Sequence, residues 1–178
     1  MALILSADHQ RLYWTVLGVN SVFYARVDGS GRGLVRMADS VEPFGLVVDE
    51  TRGFFYYIKL RGKLIRRVKL DGSELTDLVT SGLHKPTTLK LDPEGGRLYW
   101  IDTGSGRIRS CAVTGGEERD VVTAGLSFPY GLALDLARKE IYWSDLGTRS
   151  LMRADLLGRN VETVFEAGEA EPRAIGLE

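Results

Sequence analysis

The chain is poor in the residues that would place it in most simple functional classes. It has one cysteine, Cys111, so no internal disulfide can form. That favours a reducing compartment, yet it suits a disulfide-free module of a secreted protein equally well. Only two asparagines occur, Asn20 and Asn160, and neither opens an Asn-x-Ser/Thr glycosylation acceptor. The two histidines, His9 and His84, lie far apart, and no cysteine, histidine or carboxylate spacing matches a zinc or EF-hand site. No apolar run approaches the roughly 18 residues needed to span a bilayer. A formal net charge of −1 offers no general pull toward nucleic acid or anionic membrane. The opening Met1-Ala-Leu-Ile-Leu-Ser6 is too short an apolar stretch, without a basic lead-in, to read as a signal peptide. No segment keeps a 3.6-residue apolar period long enough for a helix. These absences predict an all-β chain with no cofactor, no nucleic-acid partner and no membrane partner.

What the chain does contain is a repeat. Tyr13-Trp14, Tyr56-Tyr57, Tyr99-Trp100 and Tyr142-Trp143 recur every 43 residues. Pro43, Pro86, Pro129 and Pro172 keep the same interval, as do Gly29, Gly72, Gly115 and Gly158. Asp49, Asp92 and Asp135 follow it too, with Ser6 and Glu178 at the matching end positions. Four of the five prolines and all three tryptophans fall on this lattice, so the period organises the whole chain. The units run 2–44, 45–87, 88–130 and 131–173, followed by a stub at 174–178.

Each unit contains four short β-like runs separated by turn residues. In the fourth these are 131–135, 140–144, 150–155 and 160–165. The turn between the third and fourth runs carries Gly29, Gly72, Gly115 or Gly158, where glycine supplies a positive φ. A lone four-stranded sheet cannot bury both of its faces, so a period of this length predicts propeller blades that pack on one another. Adjacent side chains of a strand point to opposite faces. One ring of each aromatic pair is therefore expected on the preceding blade and its neighbour on the following one. The apolar columns agree: Leu3, Leu46, Leu89, Leu132 and Ile175 form one, Leu12, Phe55, Leu98 and Ile141 another.

Tyr99-Trp-Ile-Asp102 and Tyr142-Trp-Ser-Asp145, each preceded by an L-x-L-D strand, resemble the YWTD repeat. This is the class B repeat of low-density-lipoprotein receptors and of their Wnt-coreceptor and nidogen relatives. The first two copies depart from it: Tyr13-Trp-Thr-Val16 lacks the aspartate, and Tyr56-Tyr-Ile-Lys59 lacks both tryptophan and aspartate. The resemblance implies a non-catalytic scaffold that binds a protein or peptide at one rim, and an extracellular location if the chain is excised from a larger protein. The compartment itself is unknown from these residues. Family members are normally six-bladed, whereas this chain holds four blades and a strand. It is then a fragment of a longer propeller, half of an eight-bladed ring made with a second copy, or a closed four-bladed ring. Unless it is a fragment, a homo-oligomer is expected, because an open arc leaves blade faces bare.

Two loop sets share one rim in propellers of this kind. The loops leading into the innermost strand contribute Phe44, His84, Lys85, Phe128, Tyr130 and Arg173 as candidate contacts. The loops joining the second and third strands contribute Lys59, Arg61, Asp102, Arg107, Asp145 and Arg149. Aromatic and arginine side chains anchor interfaces well; the plainer reading is that these aromatics cover the blade tops.

Other motifs carry a weaker promise of chemistry. Asp102-Thr-Gly-Ser105 imitates an aspartic-protease signature, but the same columns read Asp145-Leu-Gly-Thr148, which makes Asp102 a turn residue. Gly29-Ser-Gly-Arg-Gly33 lacks the following helix that a phosphate loop needs. Asp49, Asp92 and Asp135 either hold a cation near an axis or, more simply, cap the turn after the first strand. Cys111 shares a column with Ala25, Val68 and Ala154 and reads as a small core residue. Lys59, Arg61, Lys63, Arg66, Arg67 and Lys69 form a basic run that suits an acidic partner or a solvated sheet edge. The alternatives to a binding scaffold are a propeller hydrolase or lactonase with an axial metal, and a purely structural, self-assembling half-propeller.

Overall fold

A computed structural model describes residues 2–6, 8–16, 18–36, 43–59, 61–170, 172 and 175, with the Phe44 side chain outside the described set. Among these described residues sixteen strands form four antiparallel sheets, and there is no helix. The chain divides into two compact units, Met1–Gly82 and Leu83–Glu178.

The first unit holds β1 (Leu3–Leu5), β2 (Arg11–Thr15), β3 (Ser21–Arg26) and β4 (Gly33–Arg36) as one sheet, in chain order. Its second sheet is β5 (Pro43–Asp49), β6 (Phe54–Lys59), β7 (Leu64–Lys69) and β8 (Thr76–Val79). The second unit repeats the plan. One sheet is β9 (Pro86–Asp92), β10 (Arg97–Asp102), β11 (Arg107–Ala112) and β12 (Arg119–Val122). The other is β13 (Pro129–Asp135), β14 (Glu140–Asp145), β15 (Ser150–Asp155) and β16 (Glu162–Glu166).

In the fourth repeat the strands sit close to the runs read from sequence, with two shifts. β13 opens on Pro129, opposite Asp145, and a bulge lies between Pro129 and Leu132. A strand's first residue is one of the few sheet positions where the missing N–H of proline costs nothing. β16 starts at Glu162 rather than at residue 160. Asp155 Oδ1 accepts the amides of Leu157 and Arg159 at 2.9 Å, and Asn160 sits at φ 57°, so the turn extends further than the apolar pattern suggests. The stub at 174–178 lies outside the described residues except Ile175, which belongs to no strand.

Each unit is held by one sandwich of two sheets. In the first, Tyr13, Val22 and Val35 meet Leu46, Phe55, Tyr57 and Val68. In the second, Tyr99, Ile101, Ile108, Val121 and Val122 meet Leu132, Ile141, Trp143 and Ala154. The division of labour in the aromatic pair is thus as expected. The first ring of one sheet (Tyr13, Tyr99) and the second ring of the next (Tyr57, Trp143) share a core, because consecutive side chains face opposite ways. Tyr13 meets Phe55 edge-on at 5.3 Å between centroids.

At the turn before the outermost strand, neighbouring sheets of a unit approach closely. Gly158 has φ 78°, and a Cβ there would overlap the Val121 carbonyl oxygen; at Gly72 (φ 87°) it would lie 2.8 Å from the Arg36 carbonyl oxygen. Glycine answers both demands at once, a left-handed backbone and a bare edge. Gly29 and Gly31, at φ 82° and 58°, make the same turn in the first sheet, and a strand follows where a phosphate loop would need a helix.

The turn after each innermost strand is capped as the plainer reading foresaw. Asp49 Oδ1 accepts the Arg52 amide at 3.0 Å, Asp92 Oδ1 the Gly95 amide at 2.8 Å, and Asp135 Oδ1 the Arg138 amide at 2.9 Å. In the first sheet the Ser6 hydroxyl replaces the carboxylate and accepts the amides of Gln10 and Arg11. Cys111 is fully buried, and burial pushes its thiol up to about 12, which makes it an inert core group.

Candidate functional site

The YWTD tetrapeptide of the last sheet shows what each of its positions does. Trp143 fills the core between sheets. The Ser144 hydroxyl accepts the Gly131 amide at 2.9 Å, inside the bulge of β13. In the first sheet, Thr15 at the same position accepts the Ala2 amide at 2.9 Å. The hydroxyl therefore satisfies an amide that irregular pairing would otherwise leave without a partner. This role was not foreseen from sequence, although the recurring Thr or Ser before the fourth position was the signal for it.

The aspartate is a clamp. Asp145 Oδ2 accepts the Ser127 amide at 2.8 Å, and Oδ1 accepts those of Phe128 (2.9 Å), Gly147 (2.9 Å) and Thr148 (3.0 Å). Asp102 repeats the arrangement, taking the His84 and Lys85 amides at 2.8 and 2.7 Å and the Gly104 amide at 3.2 Å. One carboxylate so joins the loop entering the innermost strand to the loop leaving the second. A charged acceptor strengthens each of these bonds.

Two glycines make the clamp possible. A Cβ at Gly104 would lie 2.7 Å from His84 Cβ and 2.9 Å from the Lys85 amide nitrogen, and at Gly147 it would overlap Ser127 Oγ. Neither φ is in the left-handed region, so the demand is for space alone. The shared D-x-G of Asp102-Thr-Gly and Asp145-Leu-Gly was visible in the sequence, but its meaning depends on a loop 17–18 residues away.

This geometry corrects part of the expected rim. Asp102 and Asp145 are 0% exposed and their oxygens are committed to backbone amides, so neither can touch a partner. The protease-like reading of Asp102 falls for the same reason. What the clamps hold does face outward: Phe128 and Tyr130 are 45% and 43% exposed, and His84 and Lys85 are exposed as well. The Thr88 hydroxyl of β9 donates to the Tyr130 carbonyl at 2.8 Å, a tie between neighbouring innermost strands that sequence reading missed. Arg107 is exposed but paired with Asp120 at 2.5 Å. Arg149 is exposed at φ 54°, its carbonyl accepting the Ala167 amide.

In the first unit, Lys59 ends β6 half-buried and Arg61 is exposed in the turn that follows. Phe44 lies in β5 opposite Ile58, its side chain outside the described residues, and Arg173 is outside them altogether. The basic run is partly drawn inward. Arg66 pairs with Asp77, Lys69 with Glu74, and the Arg67 guanidinium stacks on Phe54 at 4.9 Å.

No protein-family model matches the chain. It is 35% identical over 77 residues to human low-density lipoprotein receptor-related protein 5 and 34% identical over 77 residues to the mouse protein. The matched stretch is 42% of this chain and 5% of either relative. Among solved structures, a chain of the nidogen/laminin complex superposes with a TM-score of 0.85 at 23% identity, covering 97% of this chain and 66% of its own. A streptogramin B lyase superposes at 0.78 with 17% identity, covering 98% and 57% respectively. At these identities the structural likenesses speak for the fold. The four-stranded sheets and these likenesses show β-propeller blades, and the motif they repeat is similar to YWTD, the class B repeat of low-density-lipoprotein receptors.

Proposed function

We propose that the chain is a non-catalytic protein-binding module whose ligand seats on the loops that enter the innermost strands. The observation that carries this reading is the contrast within those loops. Their backbone is fixed by the buried carboxylates of Asp102 and Asp145, while Phe128, Tyr130, His84 and Lys85 stand outward. Rigid backbone beneath exposed aromatics lowers the ordering cost of binding, which is how aromatic anchors become effective. The nidogen/laminin complex pairs a chain of the same fold with a protein, and the sequence relatives are receptor-related proteins, which supports an extracellular setting. The likeness to streptogramin B lyases rests on the fold alone. In this chain the carboxylates of Asp102 and Asp145 are spent as clamps.

Replacing Phe128 or Tyr130 by alanine is expected to weaken ligand capture at least tenfold, the loss of one aromatic anchor. The melting temperature should stay within about 2 °C of the parent, since neither ring is buried. Binding partners can be selected from a displayed peptide library and affinities read by titration calorimetry. A large drop in melting temperature with unchanged affinity would make both rings packing residues and sink the proposal.

Self-association belongs to the same proposal. Leu3, Trp14, Phe23 and Leu34 stand in register across all four strands of the first sheet, on the side opposite its core. Leu3 and Leu34 are 67% and 47% exposed. Light scattering at micromolar concentration is expected to give a particle heavier than one chain; a clean monomer mass counts against it.

A further inference from the structure

The outer side of the first unit contains a cavity of about 500 Å³ that the rim does not use. Its lining includes Arg11, Arg36, Tyr13, Tyr24, Leu70 and Asp71. The repeat explains why it is open. Arg11 and Arg97 are the same position of the repeat, the first residue of β2 and of β10. Arg97 is spoken for within its own sheet: Nη1 meets Glu117 Oε2 at 3.2 Å, and Nη2 donates to the Glu117 carbonyl at 2.9 Å and to Ser110 Oγ at 3.0 Å.

In the first sheet the position of Glu117 is Gly31 and that of Ser110 is Tyr24. Arg11 thereby loses its carboxylate, and the Tyr24 ring lies across the backbone at Gly33, in the space a Cβ would fill. Arg11 is hydrogen-bonded to Tyr13 and feels the charges of Glu50 and Asp8, but among the described residues no salt bridge is formed by Arg11 or Arg36. The nearby acids are otherwise engaged: Glu50 accepts the Tyr13 hydroxyl at 2.8 Å, Asp8 accepts the Ser6 hydroxyl at 2.6 Å and the Gln10 amide at 2.9 Å, and Asp71 accepts the Ser73 amide at 2.8 Å. Two arginines thus line a cavity together with Tyr13, Tyr24 and Leu70.

We propose that this cavity binds a carboxylate carried on a flat apolar group, with Arg11 and Arg36 taking the anion and Tyr24 stacking on the apolar part. Guanidinium groups are well suited to carboxylate recognition, and a lining of this size and mixed character is that of a small-molecule or side-chain site. The site shares no residue with the rim and does not depend on it.

The repeat also supplies the test. Gly31 has φ 58°, while Glu74 and Glu117 occupy the same position of their sheets at φ 49°, so glutamate is tolerated there. A Cβ at Gly31 meets only Arg26 side-chain atoms at 3.6 Å or more. Gly31→Glu should give Arg11 the internal partner that Arg97 has, and so compete with the ligand. We would titrate the isotope-labelled full chain with phenylacetate and follow amide resonances. Saturable shifts confined to the lining, at Arg11, Tyr13, Tyr24, residues 34–36, Leu70 and Asp71, are expected. Arg11→Met and Gly31→Glu should each weaken the fitted affinity by about tenfold or more, the loss of one charge-assisted contact. Benzylamine, with the charge reversed, should give no saturable shift. A peptide Ala-Ala-Phe with a free terminus, set against its amide, separates two sources of the same chemistry. Binding of the free terminus alone assigns chain ends as well as small acids, and no binding of either restricts the site to small acids. Absent or diffuse shifts, or an affinity unchanged in both variants with their spectra still dispersed, would overturn the proposal.

Discussion

Asp145→Ala is expected to destabilise the second unit by about 4 kcal/mol and to release the loop that carries Phe128. Four backbone amides end on this one carboxylate, at 2.8 to 3.0 Å. A buried donor left without an acceptor costs roughly 1–3 kcal/mol, and hydrogen bonds to a charged acceptor contribute at the upper end of their range. Some of the amides will find water once the loop opens, which is why the sum is not four full penalties. Asp145→Asn should cost less. Its remaining carbonyl oxygen can keep Phe128, Gly147 and Thr148, while the new amide group faces only the Ser127 N–H. Urea unfolding checks the stability order, parent above Asn above Ala, and hydrogen exchange at Ser127 and Phe128 checks the loop. If exchange there is unchanged in the alanine variant, the carboxylate does not hold the loop, and the account of the rim fails with it.

The second large effect is expected from Gly158→Ala, a loss of about 2–4 kcal/mol. Two penalties combine at this position. A non-glycine residue at φ 78° carries backbone strain on the order of 1–2 kcal/mol. Its Cβ would also occupy the place of the Val121 carbonyl oxygen, so the fourth sheet must move off the outer strand of the third. Gly125→Ala separates the two. Gly125 has φ 73° but nothing within 4 Å of an added Cβ, so it should show the backbone penalty alone. Equal losses at Gly125 and Gly158 in urea titrations would mean that close approach of the sheets contributes nothing.

Degradation of the motif in the first two repeats has a structural consequence. Val16 and Lys59 stand where Asp102 and Asp145 act as clamps, so the clamping carboxylate is present only in the last two repeats. The hydroxyl and ring positions can still be used, as Thr15, Tyr13 and Tyr57 show. Packing thus tolerates loss of the aspartate. The proposed binding surface is accordingly placed on the second unit.

The 43-residue period, the all-β class and the assignment of the two rings to opposite faces could be read from the chain directly. They depend on alternation along a strand and on glycine and proline at turns, both of which are local properties. The turn caps at Asp49, Asp92 and Asp135 were equally legible, because donor and acceptor lie three residues apart. Tertiary structure alone decided what the fourth letter of the motif does. Asp102 and Asp145 look like exposed polar ends of strands until the loop 17–18 residues upstream folds back and presents its amides to them. Space was decided there too: Gly104, Gly147 and Gly158 are ordinary turn residues in the sequence, and only the approach of another backbone shows why a methyl group is excluded. The cavity beside Arg11 belongs to the same class, since a missing glutamate matters only where the fold has brought a guanidinium to its place.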